Sequence, residues 1–220
     1  MPQDGAPKRP GRPRNPAKHA AILQAAGELF MRLPFEAVSM DAVAAAAGVS
    51  KMTLYAHFGD KESLFVALVS SFSDRMLAAP AEVPDSGGLA QRLEALGKAF
   101  LCLILSPPAL RMRQALSGAL RADPALAERF YEAGPGRTRR ALAAIIADGM
   151  AGGTLRPDDP LLAAEDLLSL WIGDLPGRLA IGLAAPTAAA DLAARARRGT
   201  GIFLRAYGLA AASAAPPGDG

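Results

Sequence analysis

The side chains best equipped for chemistry stand close together: Lys51, Thr53, Tyr55, His57 and Lys61. Hydroxyl, imidazole and ammonium donors of this kind position a protein on phosphate oxygens, while a few neighbours read base edges. Catalysis has no comparable set of residues. His19 and His57 are the only histidines, and Cys102, the single cysteine, has no histidine partner in the C-terminal half. That argues against a cysteine protease or a zinc site. There is no phosphate-cradling glycine loop and no serine elbow, and the acidic residues read as solvated helix faces and N-caps. No enzymatic activity, cofactor or metal is expected.

These donors need a scaffold, and the composition dictates a helical one. Of the 220 residues, 51% are apolar, enough for a substantial core in one mid-sized domain or in a small domain joined to a larger one. Alanine and leucine dominate while β-branched and aromatic residues are sparse, which favours helix because small and straight side chains lose least freedom there. The fold class predicted is all-α.

Asn15-Pro16 reads as an N-cap and first helical residue, with Ile22, Ala26, Leu29, Phe30 and Leu33 at helical spacing behind it. Ser39 starts a second short helix carrying Met40, Val43, Ala44 and Ala47 on one face, and Gly48 ends it. Ser50 caps a third, residues 51–58, and a fourth runs from there to about Ala79. Further helices are predicted over 89–105 and 109–120, from Asp123-Pro124, and after Gly134-Pro135-Gly136. A long apolar helix over 161–183 is expected to kink at Gly173 and Pro176, and a last one ends near Gly208.

Two short helices about a glycine turn, buttressed by a preceding amphipathic helix, make a helix-turn-helix, whose second helix enters the major groove. The run Val49-Ser50-Lys51-Met52-Thr53-Leu54-Tyr55-Ala56-His57-Phe58-Gly59-Asp60-Lys61-Glu62-Ser63-Leu64 strongly resembles the signature of the TetR family of transcriptional regulators. The likeness extends back through Ala21-Ile22-Leu23 and covers roughly residues 17–66. It implies that Leu54 and Phe58 face a small core, Lys51 and Thr53 approach bases or phosphates, Tyr55 and His57 bind phosphate, and Lys61 anchors backbone at the next helix. Ser39 joins this candidate DNA-binding set. Met52 and Ala56 stand where many relatives carry glycine and a larger residue. They either pack on a thymine methyl or sit over the backbone, so operator sequence stays open.

Residues 1–14 form a basic arm rich in Pro and Gly, in which Lys8, Arg9, Arg12, Arg14 and nearby Lys18 face only Asp4. Its Gly11-Arg12-Pro13 resembles the core of AT-hook peptides, which lay arginines along a narrow minor groove. Arg12 and Arg14 are the candidates there; the alternative is a solvated tail adding nonspecific attraction. The organisation expected is this arm, a DNA-binding domain over 15–62, a ligand-sensing and dimerising domain over 63–208, and a disordered tail over 209–220.

The C-terminal helices carry more apolar residues than surface helices need, enough to enclose a pocket for a small, mostly apolar effector. Candidate lining residues are Phe72, Met76, Phe100, Met112, Leu116, Tyr131, Ile146 and Trp171, with Arg111, Gln114 and Asp174 as polar anchors. Segments 130–137 and 158–165 look like the C-terminal regions of AefR-type TetR relatives. This implies a homodimer formed by the last two helices, which fits the apolar stretch 161–183 with Leu192, Ile202, Phe203 and Tyr207. That stretch is long enough to span a bilayer but carries Glu165, Asp166, Asp174 and Arg178 and is interrupted by Pro176, so no membrane partner is expected. The lone cysteine and the absence of a signal-peptide pattern point to the cytoplasm. The resemblance therefore implies a repressor released from a palindromic double-stranded operator by a small molecule. Two rivals remain: an architectural or activating DNA binder that senses nothing, and a helical small-molecule-binding protein or enzyme with a vestigial helix-turn-helix.

Overall fold

The computed structural model describes residues 15–84, 87–183 and 188–209. The basic arm with Arg12 and Arg14, and the tail beyond Leu209, lie outside the described residues. Those described form helices α1 (Pro16–Phe30), α2 (Met40–Ala46), α3 (Lys51–Phe58), α4 (Lys61–Leu77), α5 (Leu89–Ile104), α6 (Pro107–Ala122), α7 (Pro124–Ala133), α8 (Pro135–Ala151), α9 (Pro160–Ile172), α10 (Leu175–Ala180) and α11 (Ala189–Tyr207), and no strand.

Capping explains most of the boundaries. Asn15, Ser39, Ser50 and Asp123 each accept a backbone N–H two or three residues on, at 3.0–3.1 Å, and Asp159 accepts from Leu161 at 2.8 Å. Each satisfies a donor that the first helical turn leaves unpaired. Ser106 does the same for α6, which therefore begins at Pro107 rather than at Ala109. α2 closes in a Schellman motif: Val49 N–H reaches Ala44 O at 3.0 Å and Gly48 N–H reaches Ala45 O at 3.2 Å, with Gly48 at φ +64°. A 3-10 helix, Phe35–Ala37, which the apolar spacing does not reveal, separates α1 from α2.

Two cores result. The first gathers Ile22 and Phe30 of α1, Val43 of α2, Leu54 and Phe58 of α3, and Leu64, Phe65 and Leu68 of α4. It continues without interruption into Met112, Leu116 and Ala119 of α6 and Leu126 and Ala133 of α7. Phe65 stacks on Phe130 of α7 with ring centres 5.9 Å apart. The second core fills the space between α5, α8, α9 and α11 around Trp171, Leu93, Leu101, Leu142 and Phe203.

The helix expected over 161–183 is two helices, not one kinked one. Gly173 takes φ +52°, a conformation open to glycine, and Arg195 of α11 caps the broken end by donating to Trp171 O at 2.6 Å and Ile172 O at 2.8 Å. Pro176 then sits in the first turn of α10, where its missing N–H costs nothing. Leu192, Phe203 and Tyr207, expected on a dimer face, turn inward and build the chain's own second core. The large apolar side chains left exposed in this half include Leu162, Ile181 and Leu183.

Candidate nucleic-acid interface

α3 presents one face to the core and the other to solvent. Leu54 and Phe58 are buried, as the family resemblance implies, while Met52 is 81% and Tyr55 49% exposed. An apolar side chain held that far out contributes nothing to folding and is free for contact with a partner. Lys51, also exposed, pairs with Asp41 of α2 at 2.5 Å, a solvent-screened contact of little energetic weight. Thr53 is half-buried, its hydroxyl 2.9 Å from that of the N-cap Ser50.

Ser39, Tyr55 and Lys61, far apart in sequence, border one recess of about 400 Å³ beside α3. The Lys61 ammonium donates to Phe35 O at 3.0 Å and Glu36 O at 3.4 Å and lies 4.6 Å above the Phe35 ring. It thus staples the start of α4 to the 3-10 turn, a contact within the chain that the family resemblance does not imply. Carbonyls leave its charge intact, and an ammonium has a third donor. Glu36 and Asp41 border the same recess, so its cationic character is local to Lys61.

His57 is partly enclosed. Its ring is half-buried, 5.9 Å from His19 and 6.0 Å from Phe58, and its Nδ1 is enclosed with no hydrogen-bond partner among the described residues. Only Nε2 is left for an outside contact.

Sequence reasoning missed the relay at the start of α4. Asp60 caps it, accepting from Ser63 N at 2.6 Å, and Arg129 of α7 donates to the Ser63 hydroxyl at 2.8 Å. The hydrogen bond from the Ser63 side chain, then that from its backbone, hold the Asp60 carboxyl below the ordinary aspartate range; burial opposes them, and the Arg129 charge adds a lesser lowering effect. A group with a lowered folded-state pKa stabilises the fold above its unfolded pKa, and that stabilisation is lost as pH falls through the folded value. Asp60→Asn keeps a good N-cap but removes the charge. Its urea midpoint is expected to lie below that of the parent near neutral pH, with the gap closing as pH drops below about 4. A gap independent of pH would show that the charge contributes nothing.

In the larger C-terminal half, a cleft of about 910 Å³ opens between α5, α8 and the 3-10 turn Ala79–Glu82 that follows α4. None of the pocket residues expected from the sequence borders it. Phe72, Met112 and Leu116 belong to the first core or pack against it, and Met76, Phe100, Ile146 and Trp171 belong to the second. Arg111, Gln114, Tyr131 and Asp174 lie exposed on the surface. Apolar content marks buried positions, but which of them border a void depends on helix rotation, which spacing does not fix.

A compact three-helix reader whose second short helix projects polar and apolar side chains outward defines a helix-turn-helix DNA-binding protein joined to a helical C-terminal domain. The family comparison agrees. Residues 22–68 match the model of bacterial regulatory proteins of the tetR family, and residues 91–209 match that of the AefR-like transcriptional repressor C-terminal domain. The chain belongs to the TetR family of transcriptional regulators, which are DNA-binding proteins and not enzymes.

Among its relatives, the regulator YdeS of Bacillus subtilis is 29% identical over 72% of this chain and 77% of its own. The flavonoid-responsive regulator FrrA has a solved structure that is 34% identical, covering 88% of this chain and 98% of FrrA with a TM-score of 0.69. A TetR-family regulator from Mesorhizobium loti superposes with a TM-score of 0.74 at 25% identity, over 90% of this chain and all of that one.

Proposed function

We propose that this regulator is a cytoplasmic homodimeric repressor that leaves a palindromic operator when a small, mostly apolar molecule binds its C-terminal half. The observation that carries this reading is the continuity of the first core. The helices that position α3 pack directly on α6 and α7, so a rearrangement in the C-terminal half is felt at the recognition helix. Two such helices read half-sites about one DNA turn apart, and a ligand that favours another spacing releases the operator. Met52, Thr53 and Lys51 face the bases. Ser39, Tyr55, Lys61 and the free edge of His57 hold phosphates, and Arg12 and Arg14 of the arm enter the adjoining minor groove. The dimer forms through α9, α10 and α11, where exposed Leu162 of α9 and Ile181 and Leu183, just beyond α10, gain cover from the partner.

Repression is the sign favoured by the AefR-like domain and by similarity to the repressor AcnR of Corynebacterium glutamicum, 26% identical over 73% of this chain. The activator FasR of Mycolicibacterium smegmatis is 32% identical over 46% of it, which makes activation the second reading. Selection of duplexes from a random pool near physiological salt tests the first step. Enrichment of a palindrome with half-sites about one turn apart supports the reading, and weak, steeply salt-dependent binding with no enrichment overturns it. Transcription in vitro from a promoter carrying the enriched site then decides the sign. Coupling is reciprocal, so saturating operator must weaken effector affinity by the same factor that effector weakens operator affinity.

A further inference from the structure

We propose that the cleft between α5 and α8 takes an effector with a flat apolar body and one anionic group, a carboxylate or ionised phenol, held by Arg92. This rests on the ligand-release reading above and gives it a site and a ligand chemistry.

Four arginines among the described residues are half-buried: Arg92, Arg137, Arg139 and Arg195. Arg137 pairs with Asp74, Arg139 with Glu165, and Arg195 donates to two carbonyls at the end of α9. Arg92 alone of the four has no such partner among the described residues, and it borders the cleft. A guanidinium partly withdrawn from water and without an ion-pair partner among the described residues can take one from a ligand. An arriving carboxylate offers two parallel charge-assisted bonds, stronger than neutral ones.

The walls specify the rest of the molecule. α5 contributes Leu89 and Leu96 on either side of Arg92, and α8 contributes Ala141, Ala144 and Ile145 opposite. Alanine leaves room where a larger side chain would fill it, so α8 offers a low, even surface suited to a ring system. The volume falls in the range of small-molecule sites. Asp148, exposed in the same cleft, disfavours a second anionic group and can accept a hydrogen bond from a ligand hydroxyl. Leu77, the last residue of α4, also borders the cleft, placing an occupant against the helix whose first residue is Lys61.

The test uses the full chain, titrated calorimetrically with biphenyl-4-carboxylate and biphenyl-4-carboxamide, which share a body and differ in charge. The carboxylate is expected to bind at least about tenfold more tightly. Arg92→Gln should bring it down to the affinity of the amide while leaving the amide unchanged, and Ala144→Phe, which fills an exposed part of the wall, should weaken both. Equal binding of the two probes, binding of neither, a preference that survives Arg92→Gln, or indifference to Ala144→Phe overturns the proposal. Operator affinity measured on the same samples separates the two readings. Arg92-dependent carboxylate binding without operator release supports the site and refutes release. Release that survives both substitutions keeps release and overturns the site.

Discussion

Replacing Trp171 with alanine is expected to lower the free energy of unfolding by about 3–5 kcal/mol, the usual cost of emptying a large aromatic site in a core. The indole is fully buried, and its Nε1–H donates to the buried Thr200 hydroxyl at 3.1 Å. It also lies directly on two helix backbones. A Cβ added at Gly97 of α5 would stand 2.6 Å from the indole Cε2, and one at Gly199 of α11 would stand 2.7 Å from Cδ1. The ring therefore sets the spacing of α5, α9 and α11 at once, and partial collapse cannot refill its volume. Thr200→Val leaves the indole N–H unmet and is expected to cost about 1–3 kcal/mol. Because the two residues share one bond, the double variant should lose less than the sum. Urea unfolding measures all three. A loss under about 1 kcal/mol for Trp171→Ala would mean that the three helices find their spacing without the indole.

The second large effect is on DNA. Tyr55→Phe keeps the ring and deletes the hydroxyl at the edge of the recess that Ser39 and Lys61 share. A hydrogen bond to a charged acceptor contributes about 1.5–3 kcal/mol, and in the homodimer proposed above it is lost twice. Operator affinity should therefore fall by about 10²–10⁴-fold at fixed salt. The fold should be undisturbed, since the side chain is half exposed. The salt dependence distinguishes roles. A tyrosine hydroxyl displaces no counterion, so the slope of affinity against salt stays unchanged in this variant, whereas removing a lysine that neutralises a phosphate flattens it by about one for each phosphate left without its cation. If Tyr55→Phe binds the selected operator as tightly as the parent, the phosphate assignment for Tyr55 is wrong.

Much of the reader was legible because its signals are local. Ser39, Gly48 and Ser50 fix the ends of α2 and α3 through bonds that span no more than five residues, so residue type and spacing suffice. Leu54 and Phe58 point inward for the same reason, being one turn apart on a short helix. What the sequence hid depends on distant partners. The division of residues 161–183 is enforced by Arg195, over twenty residues further on. The partial enclosure of His57 comes from a neighbour on α1, and the commitment of Lys61 from a 3-10 turn with no apolar periodicity. The cleft was hidden most completely. Its lining is distinguished from the rest of α5 and α8 by what does not pack there, and no residue type records that.

The uninterrupted core running from α1 to α7 bears on how such regulators are recombined. A graft of residues 15–62 onto another sensor would strip Phe30 and Phe35 of Phe65. A graft extended through α4 would still leave Phe65 and Leu68 without the α6 and α7 side chains that share their core. The portable unit for building hybrid regulators is thus discontinuous in sequence. It comprises the reader, α4 and the α6–α7 hairpin, and a working chimera has to be joined on the far side of that hairpin, not at the end of the reading helix.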